Sequence, residues 1–216
     1  MPAAIVLHGA GNSTCVRRVA VVCKMLDVEY ERKDVAWDAI KTPEHLKIHP
    51  FGQVPIAIDS EDGFTLYESR AISRYVVAKY GKGSSLVPPA SDFKATARFE
   101  IACSIEQANF DKIVFDLAYE KISNCPHSLG QTTDEERVSL LYQQLEPKLD
   151  GYERILSQAK YLAGDTLTIA DLFHLPYGHL LESGIGSDVL QKRPNVARWW
   201  NELMALPAWQ AVKDSA

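Results

Sequence analysis

The strand signals of this 216-residue chain stop at residues 81–89, a stretch holding Gly83-Ser84-Ser85 and Pro88-Pro89. Clusters of glycine, serine and proline mark a connection rather than the interior of an element. Before the break, strand-like and helix-like patterns alternate. Residues 3–7 form a short apolar run. Val16, Val19, Ala20, Cys23 and Leu26 then recur at helical spacing and give one apolar face. Residues 30–35 alternate like a second strand, and 42–47 suggest a short helix. Ile56–Asp59 and residues 64–67 fit strands on either side of the turn signal Asp62-Gly63. Ser69–Tyr80 has a helical pattern. The predicted order is βαβ-αββα, a thioredoxin-like α/β arrangement.

Beyond the break only helical patterns remain. Residues 92–122 make a long helical stretch carrying Phe93, Ala97, Ile101, Ile105 and Ala108. A loop with Pro126 and Gly130 is expected at 124–133. Residues 134–157 place Val138, Leu141, Leu145, Leu149, Tyr152 and Leu156 on one helix face, and Pro147 should kink it by removing a backbone donor. Thr168-Ile169-Ala170-Asp171 has the form of a capping box with Asp in place of the usual Glu or Gln, a structural motif. Pro194 suits the first turn of a helix holding Trp199, Trp200 and Leu203. The expected organisation is an α/β domain at 1–82, a linker at 83–91 and an all-helical domain at 92–216.

Composition narrows the function. Hydrophobic residues make up 46% of the chain, enough for a sizeable core, and the net charge is −5. That balance favours neither nucleic acid nor an anionic membrane, so an anionic ligand needs local positive groups. No apolar run approaches the ~18 residues of a transmembrane helix. Residues 1–9 are apolar but lack a basic leader, and fit a first strand better than a signal peptide. Cys15, Cys23, Cys103 and Cys125 form no CxxC pair and are too scattered for a disulfide scaffold or a metal site. They are expected to be reduced thiols in a cytoplasmic protein.

Three segments carry chemistry. Ser13-Thr14-Cys15-Val16-Arg17-Arg18 stands at the step from the first strand into the first helix. A helix N-terminus offers unpaired N–H groups and partial positive charge, and a hydroxyl there can donate to an anion. A plain helix cap is the alternative. Pro50-Phe51-Gly52-Gln53-Val54-Pro55 leads into the third strand, where proline cannot donate to a ladder. A cis Val54–Pro55 bond accounts for it and lets an extended ligand pair with Val54; a trans proline at a strand edge is the alternative. Tyr67-Glu68-Ser69-Arg70-Ala71-Ile72 sets a carboxylate beside a helix start, a pairing that suits both ends of an α-amino acid or simple capping.

"PFGQVP" followed by "ESRAI", then "GQTTDEE", "YLAGDTLTIADLFHLPY" and "RPNVARWWNEL" in that order make the chain resemble glutathione transferases of the phi class over nearly its whole length. The resemblance implies that Ser13 is the catalytic serine, four residues before Arg17-Arg18. It implies that Lys41 meets the glycine carboxylate of glutathione. Gln53 and Val54 would hold the cysteinyl backbone, with Pro55 the cis-proline, and Glu68 and Ser69 would grip the γ-glutamyl end. Ile40 departs from the family by standing where many phi members have histidine, and Gly11-Asn12 before the serine is also unusual. Glutathione is then a co-substrate, with no separate cofactor, and the partners are small hydrophobic electrophiles. Phe110, Phe115 and Tyr119 are candidates for the wall of the electrophile pocket, though they suit a core equally. A homodimer and glutathione-dependent peroxidase activity are also implied. Two other readings are a thiol-disulfide transferase using Cys15 and a non-catalytic binder of hydrophobic ligands.

Overall fold

A computed structural model describes residues 3–123 and 132–216, so most of the loop expected at 124–133, with Cys125, Pro126 and Gly130, lies outside the described residues. The chain forms two compact units: Met1–Val87 together with Ala205–Ala216, and Pro88–Met204. The final segment therefore belongs with the α/β part, whereas the linker position had suggested it would stay with the helices.

In the first unit β1 (Ile5–His8), α1 (Thr14–Met25), β2 (Tyr30–Lys33), α2 (Pro43–Ile48), β3 (Ile56–Asp59), β4 (Thr65–Tyr67) and α3 (Ser69–Tyr80) follow the predicted order. The sheet order is β2-β1-β3-β4, with β1 parallel to β2 and antiparallel to β3, and β3 antiparallel to β4. A parallel pair needs a crossover, and α1 supplies it. Strand β2, Tyr-Glu-Arg-Lys, sits at an edge and alternates half-buried with exposed residues, which discourages pairing with another sheet. Ile5, Leu7, Ala57, Val16, Val19, Ala20, Ile72 and Val76 are fully buried between sheet and helices.

Asp59 ends β3 with its side chain fully buried. Its Oδ2 accepts from Tyr75 Oη (2.7 Å), Tyr80 Oη (2.6 Å) and Lys79 Nζ (2.8 Å), and its Oδ1 accepts from the Glu61 amide (2.9 Å). These bonds pin α3 to the sheet. Burial alone would raise this carboxyl, but the donors Lys79, Tyr80 and Tyr75 outweigh it and hold Asp59 well below the usual carboxylate range. A depressed native pKa means stability present above the unfolded value of about 4 and lost as pH falls below it. Asp59→Asn should cost about 3 kcal/mol at neutral pH, because it breaks a buried charged cluster. In melting curves the gap between parent and variant should close below pH ~4; a gap constant with pH would contradict this.

The second unit begins with α4 (Phe93–Glu106), which passes through a π turn, Gln107–Asp111, into α5 (Lys112–Ala118) and a further π turn, Tyr119–Ser123. Of the apolar residues that marked this stretch, Phe93 is 82% and Ile101 58% exposed. The buried side is Phe99, Ala102, Cys103, Glu106 and Phe110. The long helix α6 (Glu135–Leu156) buries the six residues expected and runs unbroken through Pro147. Then come α7 (Ile169–Leu172), α8 (Leu175–His179) and α9 (Pro194–Met204). The start of α7 was signalled by the capping box at Thr168, while α8 had no separate sequence signal. Asp171 is fully buried. Its carboxylate accepts from the amides of Leu162 and Thr168, from Thr168 Oγ1 and from Trp199 Nε1, each at 3.0 Å. The capping box is thus also the hub of the helical core. A last short helix, α10 (Pro207–Gln210), packs against α1 in the first unit.

Candidate active site

The three segments singled out in the sequence are neighbours in the α/β unit. Ser13 caps α1 in extended conformation, and its Oγ accepts from the Val16 amide at 3.4 Å. A hydroxyl that accepts this bond keeps its proton for another partner. The first turn of α1 holds no acidic residue, so nothing on the helix offsets the positive end of its dipole. Ser13 is half-buried, within reach of solvent.

Val54–Pro55 is cis, as expected. A Cβ at Gly9 would lie 2.6 Å from Val16 Cγ2 and 3.2 Å from Val54 Cβ, so the first turn of α1 and Val54 flank the same glycine. Among the described residues the main-chain N–H and C=O of Val54 have no hydrogen-bond partner. The preceding loop is held from behind. Lys41 Nζ donates to the carbonyls of Phe51 and Gly52, both at 2.9 Å, and His45 Nε2 lies 2.8 Å from the Gln53 carbonyl. Two of the three ammonium donors of Lys41 are used this way. His49, 2% exposed, packs its ring 4.8 Å from that of Tyr67 and so joins this loop to β4. Burial lowers the His49 imidazole below its usual value, against an opposing pull from Glu68, and keeps it neutral at pH 7.

Glu68 has φ 69° and ψ 105° and makes no capping hydrogen bond to α3. A non-glycine residue at positive φ stores strain of about 1–3 kcal/mol. The capping alternative therefore does not hold for Glu68, whose carboxylate is exposed beside the start of α3. Ser69 is buried, and its Oγ accepts from Arg18 Nη1 at 3.0 Å. The same nitrogen lies 3.3 Å from Cys15 Sγ. Arg18 is fully buried and braces α1 against α3, a role the sequence did not reveal. Arginines are seldom buried, and α1 is covered on several sides, by the sheet, α3 and α10. The thiol of Cys15 faces this brace. Cys23 is fully buried, and burial pushes its thiol up to about 12, which leaves it protonated and inert. Cys15, Cys23 and Cys103 are in no disulfide, and Cys125 lies outside the described residues.

Phe110 does not stand where an electrophile could meet it. It is 1% exposed and packs against His174 (4.9 Å) and Tyr152 (6.3 Å) in the helical core, because the π turn at Gln107–Asp111 rotates it inward. Phe115 and Tyr119 are 43% and 40% exposed, with rings stacked 6.3 Å apart. Tyr177 meets Phe115 edge-on at 6.1 Å and completes an aromatic platform on the helical unit. Among the described residues no group of three or more His, Cys, Asp or Glu is placed to hold a metal ion, and no helix is long and apolar enough to cross a membrane.

Comparison with known proteins agrees with this geometry. The profile described as "Glutathione S-transferase, N-terminal domain" matches residues 3–78, and "Glutathione S-transferase, C-terminal domain" matches residues 111–207. Glutathione S-transferase PM239X14 of Arabidopsis thaliana is 46% identical over 97% of this chain and 96% of its own length. Glutathione S-transferase hmp2 of Hypomyces subiculosus is 37% identical over 95% of both chains. Among solved structures, glutathione transferase F7 from Populus trichocarpa aligns with TM-score 0.88 and 31% identity, covering 96% of this chain and 97% of that one. Maize glutathione S-transferase I, solved with an atrazine glutathione conjugate, aligns with TM-score 0.88 and 31% identity, covering 98% and 97%.

Proposed function

Because the chain belongs to the glutathione S-transferase family and to its phi class, we propose that Ser13 activates the glutathione thiol. The protein is a glutathione transferase, an enzyme that joins the sulfur of glutathione to an electrophilic carbon and uses glutathione as co-substrate with no further cofactor. What carries the Ser13 reading is the pairing across Gly9. On one side lies Val16, whose amide donates to the Ser13 hydroxyl and leaves that hydroxyl its proton to give, and on the other is Val54, whose main-chain groups have no partner among the described residues.

Glutathione then lies extended along this face. Its cysteinyl main chain pairs with Val54 as an added strand, with Gln53 alongside and Pro55 setting the turn. Its γ-glutamyl ammonium meets the Glu68 carboxylate, and its γ-glutamyl carboxylate meets Ser69 and the start of α3. Its glycine carboxylate meets the remaining donor of Lys41. The sulfur points at Ser13. As the thiol loses its proton to solvent, the Ser13 hydroxyl donates to the thiolate and the α1 dipole favours the charge. The thiolate attacks carbon, and either a leaving group departs with its electron pair or the resulting carbanion takes a proton.

Of the three candidates for the hydrophobic substrate, Phe115 and Tyr119 stay in the proposal because their rings are exposed on the helical unit. The same thiolate suits organic hydroperoxides, so a glutathione peroxidase activity belongs to the proposal, with the cytoplasm as the compartment. A homodimer fits the exposed Phe93, Ala97 and Ile101 on α4 and the exposed Phe51 beside the site. Light scattering at micromolar concentration checks it, and a stable monomer would contradict it. A screen with glutathione and aryl halides, isothiocyanates and hydroperoxides tests the function directly. Glutathione-dependent turnover of at least one class is expected, and none with any class would overturn it.

Lys41→Ala should raise KM for glutathione about tenfold, the value of a lost charged hydrogen bond, while kcat holds. Lys41 acts on a carboxylate remote from sulfur, so ground state and transition state lose equally. A collapse of kcat at constant KM would contradict this placement.

A further inference from the structure

The loop that delivers Ser13 has no regular structure, yet each of its carbonyls is held. Gly9 O accepts from Arg32 Nη1 (3.5 Å), Ala10 O from the Ser13 amide (3.0 Å), Gly11 O from the Ala216 amide (3.1 Å) and Asn12 O from Arg17 Nη2 (3.2 Å). One of these four donors, the Ala216 amide, lies in the segment Ala205–Ala216, and two others, Arg32 and Arg17, are tied to that segment. Arg32 Nε also donates to the main-chain oxygen of Ala216 (2.7 Å), and Arg17 Nη1 donates to the Lys213 carbonyl. Trp209 and Val212 are buried and fasten that segment to the α/β unit. The fit is close: a Cβ at Gly11 would lie 2.4 Å from Ser215 Oγ and 3.2 Å from Arg32 Cζ.

We infer that Arg17, Arg32 and the segment Lys213–Ala216 form a latch that positions the Ser13 hydroxyl for the thiolate, from a part of the chain remote in sequence. None of these residues touches glutathione in the arrangement above, so they are positioning residues. The inference rests on the reading of Ser13 as the activating group. A hydrogen bond to an anion is sensitive to distance and angle. A loop whose carbonyls lose their partners would let Ser13 drift, and the thiolate would lose stabilisation. The binding groups Gln53 and Val54 lie on another loop, and Glu68 and Ser69 at the start of α3, so they would keep their places.

The test compares the parent enzyme with Arg32→Ala, Arg32→Lys, a chain ending at Lys213, and Ser13→Ala. Each is titrated with bound glutathione by thiolate absorbance and assayed for conjugation across pH, with melting recorded alongside. Arg32→Ala and the shortened chain should each raise the thiol pKa by about half a unit, part of the one to two units that a full hydrogen bond to a charged group carries. KM for glutathione should stay near that of the parent. Arg32→Lys, which keeps a donor for Ala216, should recover part of the shift. Lys213→Ala should match the parent, because the latch uses the carbonyl of Lys213 and not its side chain. If both latch variants titrate like the parent while Ser13→Ala is shifted, the latch is refuted and the Ser13 reading stands, even where melting falls. If Ser13→Ala is not shifted either, the Ser13 reading fails first and takes the latch with it.

Discussion

Asp171→Ala should lower the melting temperature by roughly 5–10 °C, as follows from a loss of about 3 kcal/mol in a chain of this length. A bare helix cap is worth only ~0.5–2 kcal/mol. Here the carboxylate is fully buried and serves four donors from three parts of the helical unit: Leu162 before α7, Thr168 at its start and Trp199 on α9. Removing it leaves those donors buried without partners, and each costs about 1–3 kcal/mol where the structure cannot relax or admit water. Burial pushes the carboxyl above its usual range, and the four donors oppose it. Asp171→Asn retains one oxygen as an acceptor and cannot serve both amides from one side, so it should fall between parent and Ala. Turnover per folded molecule should be unchanged, because these residues belong to the helical unit and Ser13 to the other. Scanning calorimetry with activity at a permissive temperature separates the two effects. Unchanged melting would contradict the hub.

Ser13→Ala should slow conjugation at neutral pH and lose less at alkaline pH. A hydrogen bond from a neutral donor to a charged group is worth ~1.5–3 kcal/mol, so its loss raises the thiol pKa by about 1–2 units. Below both pKa values the thiolate fraction then falls about 10- to 100-fold. Nucleophilicity rises with pKa along a Brønsted slope of ~0.4–0.5, which returns roughly half of that loss on a logarithmic scale. The net loss from ionisation alone is about 3- to 12-fold. A larger fall would mean that Ser13 also orients the sulfur, since positioning is the larger resource for a bimolecular step. The variant also loses the cap on Val16, so a small drop in melting of the α/β unit accompanies it. Thr14 is adjacent and has a hydroxyl of its own. Equal activity of parent and variant at all pH values would remove Ser13 from the chemistry.

Much of the α/β unit was legible because its signals are local. Ile56–Asp59 and Ser69–Tyr80 fall where alternation and helical spacing put them, and the odd proline after Val54 pointed to its cis bond. The N-cap at Ser13 and the capping box at Thr168 were visible for the same reason. What escaped depends on distant neighbours. On α4 the apolar ladder from Phe93 to Ile101 is real but exposed in the single chain, because a period says that a face is apolar and not what covers it. The π turns, each with one residue more per hydrogen-bonded turn, shift the faces that follow, so Phe110 turns inward to His174. Nothing in the local sequence marks Arg17 and Arg18 as buried. They are buried because α3 and the final segment cover the sides that the sheet leaves open. That segment resembled the end of a helical domain, and nothing local shows that it returns to β2 and the loop before Ser13.

The central claim is that Ser13, rather than Cys15, acts on the sulfur of glutathione. Ultraviolet difference spectra of the glutathione complex, recorded against pH for the parent, Ser13→Ala and Cys15→Ser, test it most directly. The account predicts a thiolate band in the parent that titrates below the ~8.5 of a free thiol. That band should move to higher pH in Ser13→Ala and persist in Cys15→Ser with conjugation nearly intact. A band indifferent to Ser13→Ala, together with loss of activity and of a mixed disulfide in Cys15→Ser, would contradict the account and make the protein a thiol-disulfide transferase.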